Sequence, residues 1–197
     1  MNRIASLLTA LVLAVFAVPA LAQDKPAVPE YQERVLGNPD APVTIIEYSS
    51  LTCPHCADFH RNLLPEVKKE FIDTGKAKLI FRDFPLDPLA TAAAMVARCA
   101  PENSYFRLLE TLFANQDAWA RSNKPLEAIS GYARLAGLNG DALTACLQSE
   151  DMLNAINGVK AEGSQKYGVR GTPTLIVDDQ VLSAYTDLPT ALVKATN

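Results

Sequence analysis

The chain has 197 residues, 18 of them basic and 22 acidic, for a formal charge of −4, and 49% are hydrophobic. That gives room for one domain, with or without an insertion, and enough apolar content for a real core. Mild acidity argues against nucleic acid as a partner, and four cysteines are too few for a fold held by disulfides alone.

In chain order, Arg3, the apolar run ASLLTALVLAVFAV and the tripeptide Ala20-Leu21-Ala22 make the three parts of a secretory signal peptide over 1–22. Cleavage would leave Gln23 at the start and, with Arg3 gone, take the charge from −4 to −5. An uncleaved anchor is the alternative, but the run is short of the roughly 20 residues a span needs. No cysteine lies near the cut to carry a lipid, and no later segment is long and apolar enough to cross a bilayer. The protein is therefore expected to be exported and soluble. Residues 23–34 are polar and proline-rich and end near a short edge strand, Arg34-Val35-Leu36. GNPDAP has turn chemistry, and VTIIEYS, rich in β-branched residues, reads as a buried strand. A helix is expected from Pro54 to about Ile72, with Phe59, Leu63, Val67 and Phe71 on one stripe and a kink at Pro65. Gly75 closes this unit and AKLIFRDF supplies a second strand, parallel to the first.

After FPLDP the period changes to helices near 88–100, 104–119, 125–136, 139–148 and 151–167. GVRGTP then breaks the pattern, TLIVDD-QVLSAY reads as a hairpin, and Leu188 to Lys194 as a closing helix. Without the helical block a βαβ…ββα domain remains. The division expected is signal peptide 1–22, first half 23–86, helical insertion 87–160 and second half 161–197.

Two cysteines stand three apart in TCPHC. Proline suits the first position inside a helix, so Cys53 becomes the residue capping that helix, its sulfur facing the free N–H groups of His55 and Cys56. The helix dipole and His55 add positive potential. All this favours thiolate at Cys53, the nucleophile of disulfide exchange. Cys56 lies one turn deeper on the same face, which makes Cys53 an exposed attacker and Cys56 a buried resolver. Glu47 is a carboxylate inside an otherwise buried strand. It is either exposed at a strand end or a buried acid, its pKa raised by desolvation, that exchanges a proton with Cys56. Cys53, His55 and Cys56, with His60, can also be set down as zinc ligands. One helix start does not easily wrap a tetrahedron, however, and His60 is read as a helix-surface residue. Cys99 and Cys146 are either buried free thiols or a disulfide closing a loop of roughly 48 residues, worth about 4 kcal/mol in the chain-entropy model.

GNPDAPVTIIEYSSLTCPHC, LPEVKKEFIDTGKAKLIFRDFPLD and YGVRGTPTLIVDDQ together resemble the DsbA-like thioredoxin-fold disulfide oxidoreductases. The resemblance implies an α/β thioredoxin fold with an all-helical domain inserted between its βαβ and ββα halves. It implies that Cys53 attacks, Cys56 resolves, and Pro54 and His55 complete the redox motif, His55 tuning Cys53. It puts Glu47 at the buried acid and Pro173 at a cis-proline beside the disulfide, with Thr172 offering backbone groups to an extended substrate. No cofactor or metal is implied beyond the redox disulfide. The implied partners are reduced, newly exported proteins in the periplasm and a DsbB-like, quinone-linked membrane reoxidase, the protein itself acting as a monomer. An isomerase or reductase of the same fold is the nearest rival, although only a short segment precedes GNPDAP, too little for the dimerisation domain of such isomerases. A pure binding or chaperone role is a further class.

Overall fold

The computed structural model describes residues 26–196; the expected signal peptide lies outside them. Five strands form one sheet in the order β1-β3-β2-β4-β5. β1 (Arg34–Leu36) runs antiparallel to β3 (Ala77–Asp83), β3 parallel to the central β2 (Val43–Ser49), and β2 antiparallel to β4 (Thr174–Val177). β5 is only Gln180–Val181, shorter than the hairpin arm the sequence suggests, because the chain leaves the sheet for a single turn at Tyr185–Asp187. The hairpin turn is Asp178-Asp179, both at positive φ (45° and 65°), which a tight turn between right-twisted strands requires.

The helix after β2, here α1, covers residues 54–72 as a continuous path. Its ordinary turns at Pro54–Asp58 and Leu64–Val67 are each followed by a wider one, at Phe59–Leu63 and Lys68–Ile72. Pro65 explains the first wide turn: with no N–H, and with a ring that would crowd the carbonyl one turn back, it loosens the ladder before it. Each wide turn takes one extra residue. The buried stripe therefore passes from Phe59 to Leu64, with Leu63 only half-buried, and resumes at Val67 and Phe71.

The insertion holds α2 (Pro88–Cys99), α3 (Tyr105–Ala114), α4 (Gln116–Ala120), α5 (Pro125–Leu135) and α6 (Gly140–Leu147), followed by α7 (Glu150–Tyr167). The helix expected over 104–119 breaks at Asn115, which lets Trp119 turn inward and donate from Nε1 to Leu112 O at 2.7 Å. α8 (Leu188–Thr196) closes the described chain. One face of the sheet, with Ile45, Leu79, Phe81 and Leu175, packs against α1, α8 and the insertion in a single core. The other face, with Ile46, Tyr48 and Ile176, meets Val159, Tyr167 and Val169 on and just beyond α7. Cys99 and Cys146 are disulfide-bonded, with Cα atoms 6.2 Å apart, and tie α2 to α6. No helix among the described residues is long and apolar enough to cross a membrane.

Candidate active site

Cys53 has extended backbone (φ −79°, ψ 121°) and caps α1, with Pro54 at the first helical position. The chain arrives there from the C-terminal end of central strand β2. Cys53 N donates to Ser50 O at 3.0 Å and its carbonyl accepts from Ala57 N at 3.1 Å. Two contacts that the sequence does not reveal lock this turn. Gln116, buried on α4, donates from Nε2 to Leu51 O at 2.8 Å and Cys53 O at 2.9 Å. The Thr52 hydroxyl donates to Asp87, which also caps α2 through Ala90 N. Gln116 lies more than 60 positions away from both acceptors, and no local pattern points to it.

The expected exposed attacker is corrected: Cys53 is only 7% exposed. The Thr172–Pro173 bond is cis, and its segment lies over the sulfur, where Cys53, while protonated, donates to Thr172 O at 3.3 Å. The thiol's pKa is lowered to about 5, chiefly by a hydrogen bond from the Cys56 thiol. Partial burial opposes the shift, and the Thr172 side chain and the backbone N–H groups of Cys56 and His55 reinforce it. Helix-mouth donors thus act as the sequence suggests. His55 contributes through its backbone N–H, while its side chain and Pro54 are exposed. Cys56 has no exposed surface, and burial pushes its thiol upward, helped by Cys53 and the charge of Glu47. One thiol ionises readily and its neighbour resists ionisation.

Glu47 sits in mid-sheet, paired with Phe81 of β3 on one side and Leu175 of β4 on the other, and has no exposed surface. Strand-end exposure is therefore excluded. It is not a solitary acid, however: His60 Nε2 lies 3.0 Å from both Oε1 and Oε2. This corrects the reading of His60 as a surface residue. His60 stands four positions after Cys56, and that i, i+4 spacing puts both on one helix face. The spacing was the available signal. With His60 held by Glu47, the four proposed zinc ligands do not converge, and no cluster of three or more metal-binding side chains occurs among the described residues. On the rim of the site, Tyr185 donates to Asp58 Oδ2 at 2.9 Å, linking α1 to the segment after the hairpin.

Residues 30–192 match the family model described as Thioredoxin. The crystal structure of Wolbachia pipientis alpha-DsbA1 superposes with a TM-score of 0.77 at 32% identity, covering 86% of this chain and 93% of that one. A "Putative protein-disulfide oxidoreductase" of Rickettsia felis is 34% identical over 151 residues, 72% of this chain and 54% of the relative. Disulfide bond formation protein D of Bacillus subtilis is 27% identical over 158 residues, covering 78% of this chain and 71% of that protein. This chain spans about half the length of its rickettsial relatives. A thiolate-favouring cysteine at a helix mouth, its buried partner, an adjoining cis-proline and a helical insertion thus occur in a chain that the family model matches over residues 30–192, and it belongs to the thioredoxin family, among the DsbA-like proteins.

Proposed function

We propose that this protein is an exported thiol:disulfide oxidoreductase that donates a Cys53–Cys56 disulfide to reduced protein substrates in the periplasm. One observation carries the reading: the Cys53 sulfur, stabilised as an anion, lies at the start of α1 beneath the Thr172–Pro173 segment. In the oxidised form a substrate thiolate attacks Cys53 Sγ, the Cys53–Cys56 bond breaks, and Cys56 leaves as a thiolate. Glu47 gives that buried thiolate a proton. A second substrate thiolate then attacks the substrate sulfur of the mixed disulfide, and Cys53 departs. A thiol that ionises at about pH 5 is a good leaving group. Cys56, neutral and enclosed, competes poorly for the same bond.

Thr172 would pair its backbone with an extended substrate. Halves 23–86 and 161–197 carry the reacting groups, and insertion 87–160 braces them through Gln116. A quinone-linked membrane protein of the DsbB type would restore the disulfide, with the chain working as a monomer after loss of residues 1–22.

The test is transfer of disulfides to a reduced, unfolded protein. The oxidised wild type should introduce them stoichiometrically, Cys53→Ser should introduce none, and Cys56→Ser, offered a substrate disulfide, should stop as a mixed disulfide on Cys53. Repair of wrong pairings without net oxidation would make the protein an isomerase. Undiminished assistance to folding by Cys53→Ser would make it a chaperone.

A further inference from the structure

One buried polar group has no part in the steps above. The side chain of His60 is 3% exposed and that of Glu47 is not exposed at all. A carboxylate can only accept, so the hydrogen between them belongs to Nε2, which donates into the fork of the two oxygens. The ring is held by neighbours on several sides: it stacks on Phe113 at 4.0 Å and meets the edges of Phe59 at 5.4 Å and Phe81 at 6.0 Å. Nδ1 is buried without a partner, which costs less for a bare acceptor nitrogen than for a trapped N–H. A ring with its hydrogen on Nε2 and none needed on Nδ1 meets both conditions.

We propose that His60 is a positioning residue of the redox site, its Nε2–H holding Glu47 in place and stabilising the charge left there when Glu47 passes its proton to Cys56. This rests on the oxidoreductase reading. The balance is as follows. Two electrons move from the substrate thiols to the protein disulfide, and the leaving Cys56 sulfur keeps the electron pair of the broken bond. The Glu47 proton joins that sulfur, and Glu47 becomes a carboxylate facing Nε2–H. Reoxidation returns the proton from Cys56 to Glu47. The donor therefore favours the dithiol state over the disulfide state, and stabilising the reduced form makes the disulfide a stronger oxidant.

The decisive measurement is the equilibrium of the Cys53–Cys56 pair with a small dithiol such as dithiothreitol, which needs no protein substrate. His60→Phe keeps the stack on Phe113 and removes the donor. It should move the equilibrium about tenfold toward the disulfide, or about 30 mV to lower potential for two electrons. His60→Gln restores an N–H at the Nε2 position and should recover most of the shift. Thermal unfolding should show His60→Phe losing more stability as dithiol than as disulfide, whereas a merely structural side chain would weaken both forms equally. A wild-type potential in His60→Phe overturns the proposal, and so does an equal shift in His60→Gln. If His60→Phe does not fold, nitrogen NMR of the dithiol wild type decides, since the chain has only 2 histidines: His60 protonated on Nδ1 and bare on Nε2 would refute the assignment. Failure of the wild type to oxidise protein substrates would overturn the functional reading while leaving these equilibria measurable.

Discussion

At the scale of single residues, the site works by contrast between two chemically identical side chains. Cys53 and Cys56 are three positions apart, yet one thiol is lowered to about 5 and the other pushed up. A depressed acid adds stability as pH rises through the range where the native state has released a proton that the unfolded chain still holds, and keeps the full contribution above that range. In the dithiol protein, stability from Cys53 should therefore grow as pH rises from about 5 and be complete near 9, the ordinary thiol value. It should vanish as pH falls through 5. Cys56, raised, works in the opposite direction only above 9. Denaturant titrations of reduced wild type and Cys53→Ser across this window should diverge with rising pH, and thiolate ultraviolet absorbance should rise with a midpoint near pH 5 in the wild type alone. The sequence made Cys53 legible because a helix start, a proline and a second cysteine are local signals. It hid the cover over the sulfur, since Thr172 arrives from 119 positions away.

At the scale of elements, periodicity revealed the helices and strands but not their wide turns or breaks. Leu63 and Leu64 are equally apolar, and only the extra residue before Pro65 decides which one meets the core. The same limit applies on α7, which carries Gly158 and Gly163 five positions apart. Alanine is favoured over glycine in a helix by about 1 kcal/mol. Nothing lies within 4 Å of a methyl group built at Gly158, so Gly158→Ala should stabilise by up to that amount. A methyl group at Gly163 runs into the Tyr48 ring, which is packed edge-on against Phe84 and receives a hydrogen bond from Arg82. Overpacking of this kind costs about 1–3 kcal/mol, so Gly163→Ala should be a net loss. Paired urea unfolding curves compare the two substitutions, and a gain at Gly163 would show that α7 can lift off the sheet cheaply.

At the scale of the whole molecule, the insertion is fastened to the sheet by polar contacts as well as apolar ones. Arg98 of α2 donates to Asp83 Oδ2 at 2.6 Å, to Phe81 O at 2.9 Å and to Gln32 O at 2.9 Å, and lies 4.3 Å from the Tyr31 ring centre. One buried guanidinium thus joins the insertion, β3 and the segment before β1. The Cys99–Cys146 bond, at a sequence separation of 47, works inside the insertion. Replacing both cysteines with alanine should cost about 4 kcal/mol on the chain-entropy estimate, measured by denaturant unfolding, while Cys53 should still titrate near pH 5. Spacing along the chain could not choose between a bond and two free thiols here. The choice depends on how α2 and α6 pack, a long-range outcome. The sheet's margins carry a last implication. One border strand has three residues and the other two, and unpaired strand borders are where foreign chains graft themselves on. For a protein whose proposed clients are unfolded polypeptides, so little hydrogen-bonding template at the sheet's margins limits their growth into fibrils upon it.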